Sequence, residues 1–399
     1  MTKLQLQDLQ VNEKKVLMRV DFNVPFLACG TIADLTRIKE SLPSIEWILK
    51  EGGTLILMSH LGRPTGKDPR LSLAPCAKAL SILLNRPVQM ATDCIGKEVT
   101  LQASQLKKGE ILLLENLRFY PAEEKPALDP SFAKQLASLA DLYVDDAFGS
   151  AHRKHASTWE VPALFPGKAA AGFLMQKEIT FLGNTLQNPK RPFYALIGGA
   201  KVSSKIGVLK ALALKTDGLF IGGAMAFTFY KAQGLSIGDS PFEPDQVATA
   251  TQFIQMCTEK KIPLWLPSDV VIADRFSNDA HYRTIAVSEG IPEGWQGMDI
   301  GPQTCREWEP LLKKGKTLFW NGPFGVFEFS HFTKGTEVIA KILSSLDATT
   351  IVGGGDSVFA IHKLGVASQF THLSTGGGAS MEYIELGHLP GIDALSNKK

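Results

Sequence analysis

Sulfur is sparse in this sequence and nowhere clustered. Its five cysteines (Cys29, Cys76, Cys94, Cys257 and Cys305) are odd in number and form no CxxC pair, which excludes a zinc ribbon, an iron–sulfur centre and a thioredoxin-like redox pair. The scatter fits a reducing cytosol, and a cytoplasmic location is the expectation. Long apolar runs are missing as well. Nothing approaches the ~18 residues of a membrane span, and the start, MTKLQLQDLQ, lacks the apolar core of a secretory leader. Charge of one sign is also lacking, because 42 Lys+Arg stand against 40 Asp+Glu for a net of +2. No nucleic-acid or membrane partner is expected from so balanced a chain, and any basic site must be local.

Familiar nucleotide fingerprints are absent too. LGRPTGKD has only three residues between Gly62 and Gly66, and Asp68 stands where a P-loop needs Ser or Thr. No stretch satisfies GxGxxG, and the HRD and DFG pair of protein kinases is missing.

What is present is an ordinary globular composition, 44% hydrophobic and 21% charged over 399 residues. At roughly 150 residues per domain this length suggests two or three domains. Short aliphatic runs recur with helical stretches between them: VLMRV at 16–20, TLILM at 54–58, ILLL at 111–114 and LYV at 142–144. They read as buried parallel strands. Between the first two, Ile38, Leu42, Ile45 and Leu49 mark one face of a helix. The pattern restarts with FYALI (193–197), GLFI (218–221), PLWLP (263–267), TLFW (317–320) and TTIV (349–352). The fold class expected is therefore α/β, with two doubly wound, Rossmann-like parallel-sheet domains. GFLMQKEITFLGNTLQNPKRP starts as a helix and ends in turn-forming residues, so it reads as an interdomain helix and linker over 173–192. The domains expected are 1–172 and 193–399.

The two halves use different chemistry. A cut after Ala195 leaves eight Arg before it and three after, but 11 Gly before and 25 after. Arginine forks suit anions, and glycine lets backbone amides approach a ligand. In doubly wound sheets ligands sit at the carboxyl ends of strands. There the first half carries DFNVP, SHLGRP, ENLRF and DDAFGSAHR, which offer Asp21, Asn23, His60, Arg63, Arg118, His152 and Arg153, with Arg37 at the start of the first helix. A helix end or an acidic neighbour explains any one of these arginines. A small ligand carrying phosphate and carboxylate explains four at successive strand ends. Metal binding by His152 and His155 is the weaker alternative, since HxxH here has no Glu or Cys companion.

The second half repeats glycine turns after its strands: IGGAKVSSK, IGGAMAF, WNGPFGVFE, VGGGDS and STGGGAS. Tight turns account for such runs, and so do phosphates seated on helix amino termini. Lys201 and Lys205 lie four apart, as on one helical face, where both ammoniums reach one phosphate chain. Asp356 is the carboxylate that suits Mg²⁺ held through a phosphate.

RVDFNVP, SHLGRP, ENLRF, DAFGSAHR, GGAKVSSK, WNGPFGVFE, GGGDS and STGGGAS, in this order, closely resemble the phosphoglycerate kinase family from about Arg19 to the terminal LPGIDALSN. The resemblance implies a glycolytic hinge-bending enzyme that reversibly transfers the acyl phosphate of 1,3-bisphosphoglycerate to Mg-ADP, giving 3-phosphoglycerate and ATP. It implies that Asp21, Phe22, Asn23, Arg37, His60, Leu61, Gly62, Arg63, Arg118 and Arg153 hold the phosphoglycerate. Lys201, Lys205, Gly222, Gly223, Gly297, Asn321, Glu328, Gly354, Gly355, Asp356 and Ser357 are then the nucleotide contacts, with Glu328 on the ribose and Asp356 on Mg²⁺. Arg37, Lys201 and Lys205 are the catalytic candidates, and a monomer is expected. Three positions depart from the family pattern, Leu35, Asp145 and Ser204, and each bears on local salt bridges more than on a ligand contact. Outside this family, the α/β pattern and glycine turns alone would fit a nicotinamide-dependent oxidoreductase or an inactive scaffold.

Overall fold

The computed structural model describes residues 2–27 and 30–398. Cys29 lies outside the described residues, and the other four cysteines are buried and free. The chain divides into two compact units, Met1–Thr180 with His388–Lys399, and Phe181–Gly387.

In the first unit β1 (Lys15–Val20), β2 (Thr54–Met58), β3 (Gln89–Met90), β4 (Ile111–Leu113), β5 (Leu142–Asp146) and β6 (Ala169–Ala171) form one parallel sheet in the order β3-β4-β2-β1-β5-β6. β2 and β5 are buried along their whole length, which is why their sequences run apolar without alternation. The pattern misses β3 and β6, whose QM and AAA carry no branched residues. The helix Thr36–Lys50 buries Ile38, Ile45 and Ile48, with Leu42 and Leu49 partly buried beside them. Each buried isoleucine contributes roughly 1.5–3 kcal/mol. Leu35 gives this helix no side-chain cap. Asp34 supplies one instead, its Oδ1 accepting from the Thr36 amide at 2.8 Å and the Thr36 hydroxyl at 2.6 Å. The end of the chain packs into this unit: the Leu4 amide donates to the Ser396 carbonyl at 2.7 Å, and the Gly391 amide to that of Ala151 at 2.8 Å.

In the second unit β7 (Phe193–Ile197), β8 (Gly218–Ile221) and β9 (Leu264–Trp265) are followed by β10 (Asp269–Ala273), β11 (Tyr282–Ala286) and β12 (Gln296–Ile300), then by β13 (Thr317–Asn321), β14 (Thr349–Gly353) and β15 (His372–Leu373). The outer groups make a parallel sheet in the order β15-β14-β13-β7-β8-β9. β10 to β12 make a separate antiparallel sheet, β11-β10-β12. That third sheet is not legible as a parallel strand pattern, because β11 (YRTIA) is polar and largely exposed. The segment 173–185 begins as the α-helix Phe173–Glu178 and continues as the π-helix Ile179–Thr185, within which the two units divide.

Both parallel sheets run outward from a central strand first one way and then the other. The reversal leaves a crevice at the carboxyl ends between β1 and β5 in the first unit, and between β7 and β13 in the second.

Candidate active site

Four neighbouring strands, β4, β2, β1 and β5, end side by side in the first unit, and their loops carry its arginines. Arg37 Nη1 donates to Asp21 Oδ2 at 2.6 Å. Asn23 Oδ1 accepts from the Gly62 amide at 2.9 Å, and the Gly62 carbonyl accepts from Arg118 Nη1 at 2.8 Å. Arg118 Nη2 pairs with Glu124 at 3.0 Å, while its buried Nε has no partner. Arg63 and Arg153 are exposed, and their guanidiniums make no ion pair among the described residues. Phe22 and Leu61 differ from these: both side chains are buried in the core of the unit.

Arg19 completes the group from beneath. It is fully buried on β1 and is not among the arginines offered as ligand contacts. Its Nη2 lies 3.0 Å from His60 Nδ1 and its Nε donates to the Ser157 hydroxyl at 3.0 Å. That hydroxyl in turn donates to buried Glu123 at 2.6 Å. A guanidinium has only hydrogens to offer, so His60 Nδ1 must be the acceptor and the ring hydrogen sits on Nε2. Burial, then the charges of Arg19, Arg118 and Arg37, hold His60 well below the usual imidazole range. His155 is pushed down to about 3 by burial and by Arg19, Arg118 and Arg153. Both imidazoles are thus neutral at pH 7, and the positive charge belongs to the arginines. His152 and His155 have no metal-site companions, since no group of three or more His, Cys, Asp or Glu able to hold an ion occurs among the described residues.

In the second unit the turns after β7, β13 and β14 and the start of the helix Gly377–Leu386 line a cavity of 690 Å³. Lys205 projects into it, donating to Asn321 Oδ1 at the end of β13. Burial lowers this ammonium to about 8, against the opposing pull of Asp356. Gly354, at φ +94°, opens the helix Gly355–Lys363, and a Cβ there would stand 2.9 Å from Asn321 Nδ2. Ser357 accepts from the Gly322 amide at 2.7 Å and so fastens β14's turn to β13's. Asp356 is exposed in the first turn of that helix, and its carboxylate makes no hydrogen bond or ion pair among the described residues.

Lys201 and Lys205 do not share a helical face. The helix starts at Ile206 with Lys205 as its N-cap. Residues 201–205 are a turn, pinned where Glu243 accepts from the Ser203 amide at 3.0 Å and where the Ser204 hydroxyl donates to the Lys201 carbonyl at 3.0 Å. Lys205 therefore enters the cavity, whereas Lys201 is exposed and lines neither this cavity nor the next.

A second cavity of 320 Å³ adjoins the first, sharing Gly199, Ala200, Pro323 and Asp356 with it. Phe227, Val270, Met298, Phe324 and Val326 give it apolar walls, with Glu328 exposed at its edge. Gly223 and Gly297 also line it, but Gly222 does not. A Cβ on Gly297 would lie 2.0 Å from the Phe227 ring, so only glycine leaves that wall in place. Several glycines that looked like ligand turns serve packing between loops. A Cβ on Gly198 would stand 2.2 Å from the Pro323 carbonyl, and one on Gly222 2.4 Å from the Phe324 ring. Gly355, Gly377 and Gly378 instead face open space in the cavity lining.

One unit thus gathers guanidiniums at a sheet edge, and the other sets a half-buried lysine among helix amino termini beside an apolar slot. Together these define a two-unit α/β phosphotransferase. The family model for phosphoglycerate kinase matches residues 6–386. The chain is 54% identical over 399 residues to the phosphoglycerate kinase of Moorella thermoacetica, with all of both chains covered. It is 51% identical to the cytosolic enzyme of Triticum aestivum, covering 98% of this chain and 97% of that one. The solved phosphoglycerate kinase structures from Coxiella burnetii (37% identity, TM-score 0.87) and Pyrococcus horikoshii (29%, TM-score 0.86) each superpose over 98% of both chains. The chain belongs to the phosphoglycerate kinase family and is a glycolytic kinase.

Proposed function

We propose that the chain transfers the acyl phosphate of 1,3-bisphosphoglycerate to Mg-ADP, giving 3-phosphoglycerate and ATP, and runs the reaction in both directions. The observation that carries this reading is that a half-buried, cationic Lys205 and the free carboxylate of Asp356 line one cavity of 690 Å³. In the first unit Arg37, Arg63, Arg118 and Arg153 bind the acid, with Asp21 and Asn23 orienting Arg37 and the Gly62 loop. The unsatisfied Nε of Arg118 is a donor suited to an anion. His60, its hydrogen on Nε2, donates without adding charge. Phe22, Leu61 and Gly62 contribute backbone only. In the second unit the base enters the apolar slot past Gly223 and Gly297, and Glu328 accepts from the ribose. The phosphates lie on Lys205, Asn321 and the amides of Gly354 to Ser357, with Lys201 and Gly222 in outer roles.

The nucleophile is an ionised oxygen in either direction, a carboxylate or a terminal phosphate, so no side chain has to remove a proton. The work is placement and charge neutralisation. Lys205 and Arg37 supply fixed positive charge to the moving phosphoryl group. Asp356, an exposed carboxylate with no partner among the described residues, would hold Mg²⁺ brought in with the nucleotide phosphates. Bound with the nucleotide, Mg²⁺ supplies positive charge to the phosphate oxygens. Because the substrates are assigned to separate units, transfer requires closure about the 173–192 segment, which also excludes water from the acyl phosphate. We infer a cytoplasmic monomer with no nucleic-acid or membrane partner; the chain's near-neutral net charge and the absence, among the described residues, of a helix long and apolar enough to cross a membrane support that reading. Purified protein should form ATP from ADP and 1,3-bisphosphoglycerate only when Mg²⁺ is present. Absence of turnover, or turnover unchanged by chelation of the metal, would overturn the assignment.

A further inference from the structure

The antiparallel sheet of β10 to β12 has two faces, and the nucleotide slot occupies one of them. Side chains alternate along a strand. Val270 lines the 320 Å³ slot, while the next residue, Val271, lines a separate cavity of 440 Å³ on the opposite face. Thr284 pairs directly with Val271, and Tyr282, two residues earlier on β11, lines the same cavity. The helices Pro302–Leu312 and Lys334–Ser344 close its sides through Arg306 and Val338. Ile300 is the one residue common to both cavities among the described residues. No step of the phosphoryl transfer uses this face.

The volume lies in the range of small-molecule sites, and the lining says what kind of molecule fits. Val271, Ile300, Pro302 and Val338 give an apolar floor. The rim carries Arg306, Lys334 and Glu309; Lys334 pairs with Glu337 at 3.4 Å and Glu309 with Lys313 at 2.6 Å, which leaves Arg306 as the charge to be matched. Arg306 donates Nε and Nη2 to Gln303 Oε1, at 3.1 and 2.7 Å, a neutral partner that leaves its charge uncompensated. An apolar floor beneath an uncompensated guanidinium selects a compact body, one ring or a short alkyl chain, bearing one negative group.

We propose that this cavity is a second small-molecule site, which takes an amphipathic monocarboxylate with its apolar body on Val271, Ile300 and Val338 and its carboxylate on Arg306, and which fills whether or not nucleotide is bound. Sharing only Ile300 with the slot, the two ligands occupy opposite faces of one sheet. Calorimetric titration of the whole protein with 4-phenylbutyrate tests this, with the uncharged amide 4-phenylbutanamide as control. The expected result is one carboxylate per chain, bound about tenfold more tightly than the amide, with or without saturating ADP. Val338→Trp, on an exposed helical position, should fill the cavity and weaken the carboxylate at least about tenfold. Arg306→Glu should abolish the preference for carboxylate over amide. ADP binding, unchanged in both variants, certifies that they are folded. The proposal is overturned if the carboxylate fails to bind, if ADP displaces it, if the amide binds equally well, or if Val338→Trp binds it as tightly as the parent.

Discussion

Arg19 Nη2 lies 3.0 Å from His60 Nδ1 in a fully buried contact, and that one distance settles the state of the histidine. The guanidinium donates, the imidazole accepts, and His60 presents an N–H from Nε2. Nitrogen-15 shifts should show a pyrrole-type Nε2 and a pyridine-type Nδ1, unchanged from pH 8 down to pH 5.5. Arg19→Met should cost about 3 kcal/mol in urea unfolding, because His60, Ser157 and the Val20 carbonyl lose a shared donor. It should also raise the phosphoglycerate KM. Titration of His60 near pH 6.5 would contradict the arrangement.

Lys205 acts as a cation whose pKa burial has lowered to about 8. The charged form is the active one, so kcat/KM should fall as pH rises through about 8, where the free enzyme's ammonium loses its proton. In the nucleotide complex phosphate charge favours the ammonium, and the fall in kcat should move to higher pH. Lys205→Arg, which stays charged, should lose the alkaline decline. Lys205→Ala should lower kcat about a thousandfold. Initial-rate profiles from pH 6 to 10 check all three.

Asp145, one of the departures from the family pattern, is buried at the end of β5 with Oδ1 accepting from the Ala147 amide at 2.9 Å and Oδ2 unpartnered. Burial raises its carboxyl to about 6, above an unfolded value of about 3.9. Between those values the unfolded chain releases the proton first, so this group's contribution to stability falls as pH rises from about 4 to 6 and stays low above that. Asp145→Asn keeps the acceptor and removes the charge. It should stabilise the protein by roughly 2–3 kcal/mol at pH 8 and by almost nothing at pH 4. Urea midpoints at the two pH values measure the difference.

Glu328 stands exposed at the edge of a slot whose walls are Phe227, Val270, Met298, Phe324 and Val326. Glu328→Gln should raise the KM for ADP and ATP about tenfold while leaving kcat and the phosphoglycerate KM in place, because a ribose contact is equal in ground and transition states. A drop in kcat instead would assign this residue to the chemistry.

Strand ends were the legible part of this protein. Runs such as TLILM and FYALI announce parallel strands because burial on both faces leaves no polar alternation, and the residues that follow them form the candidate site. Arg19 was not legible, since a buried arginine inside VLMRV has the same sequence appearance as a surface one. Its role depends on His60, Ser157 and Glu123, each far away in sequence. Lys201 and Lys205 looked equivalent by spacing, but the turn closed by Val202 and held by Glu243 starts the helix one residue too late for a shared face. Gly222 is ambiguous in the sequence for a related reason. Glycine permits close approach to a ligand and to another loop alike, and only the Phe324 ring at that position tells which. The antiparallel sheet escaped because YRTIA is polar and exposed.

The central claim is that the acid belongs to the first unit's arginines and the nucleotide to the second unit's cavities. Arg63, exposed and unpaired, tests it without disturbing the fold. Calorimetric titration of Arg63→Ala with 3-phosphoglycerate and, separately, with ADP should show the acid bound about tenfold more weakly and ADP bound as in the parent. Equal weakening of both ligands, or of ADP alone, would contradict the division.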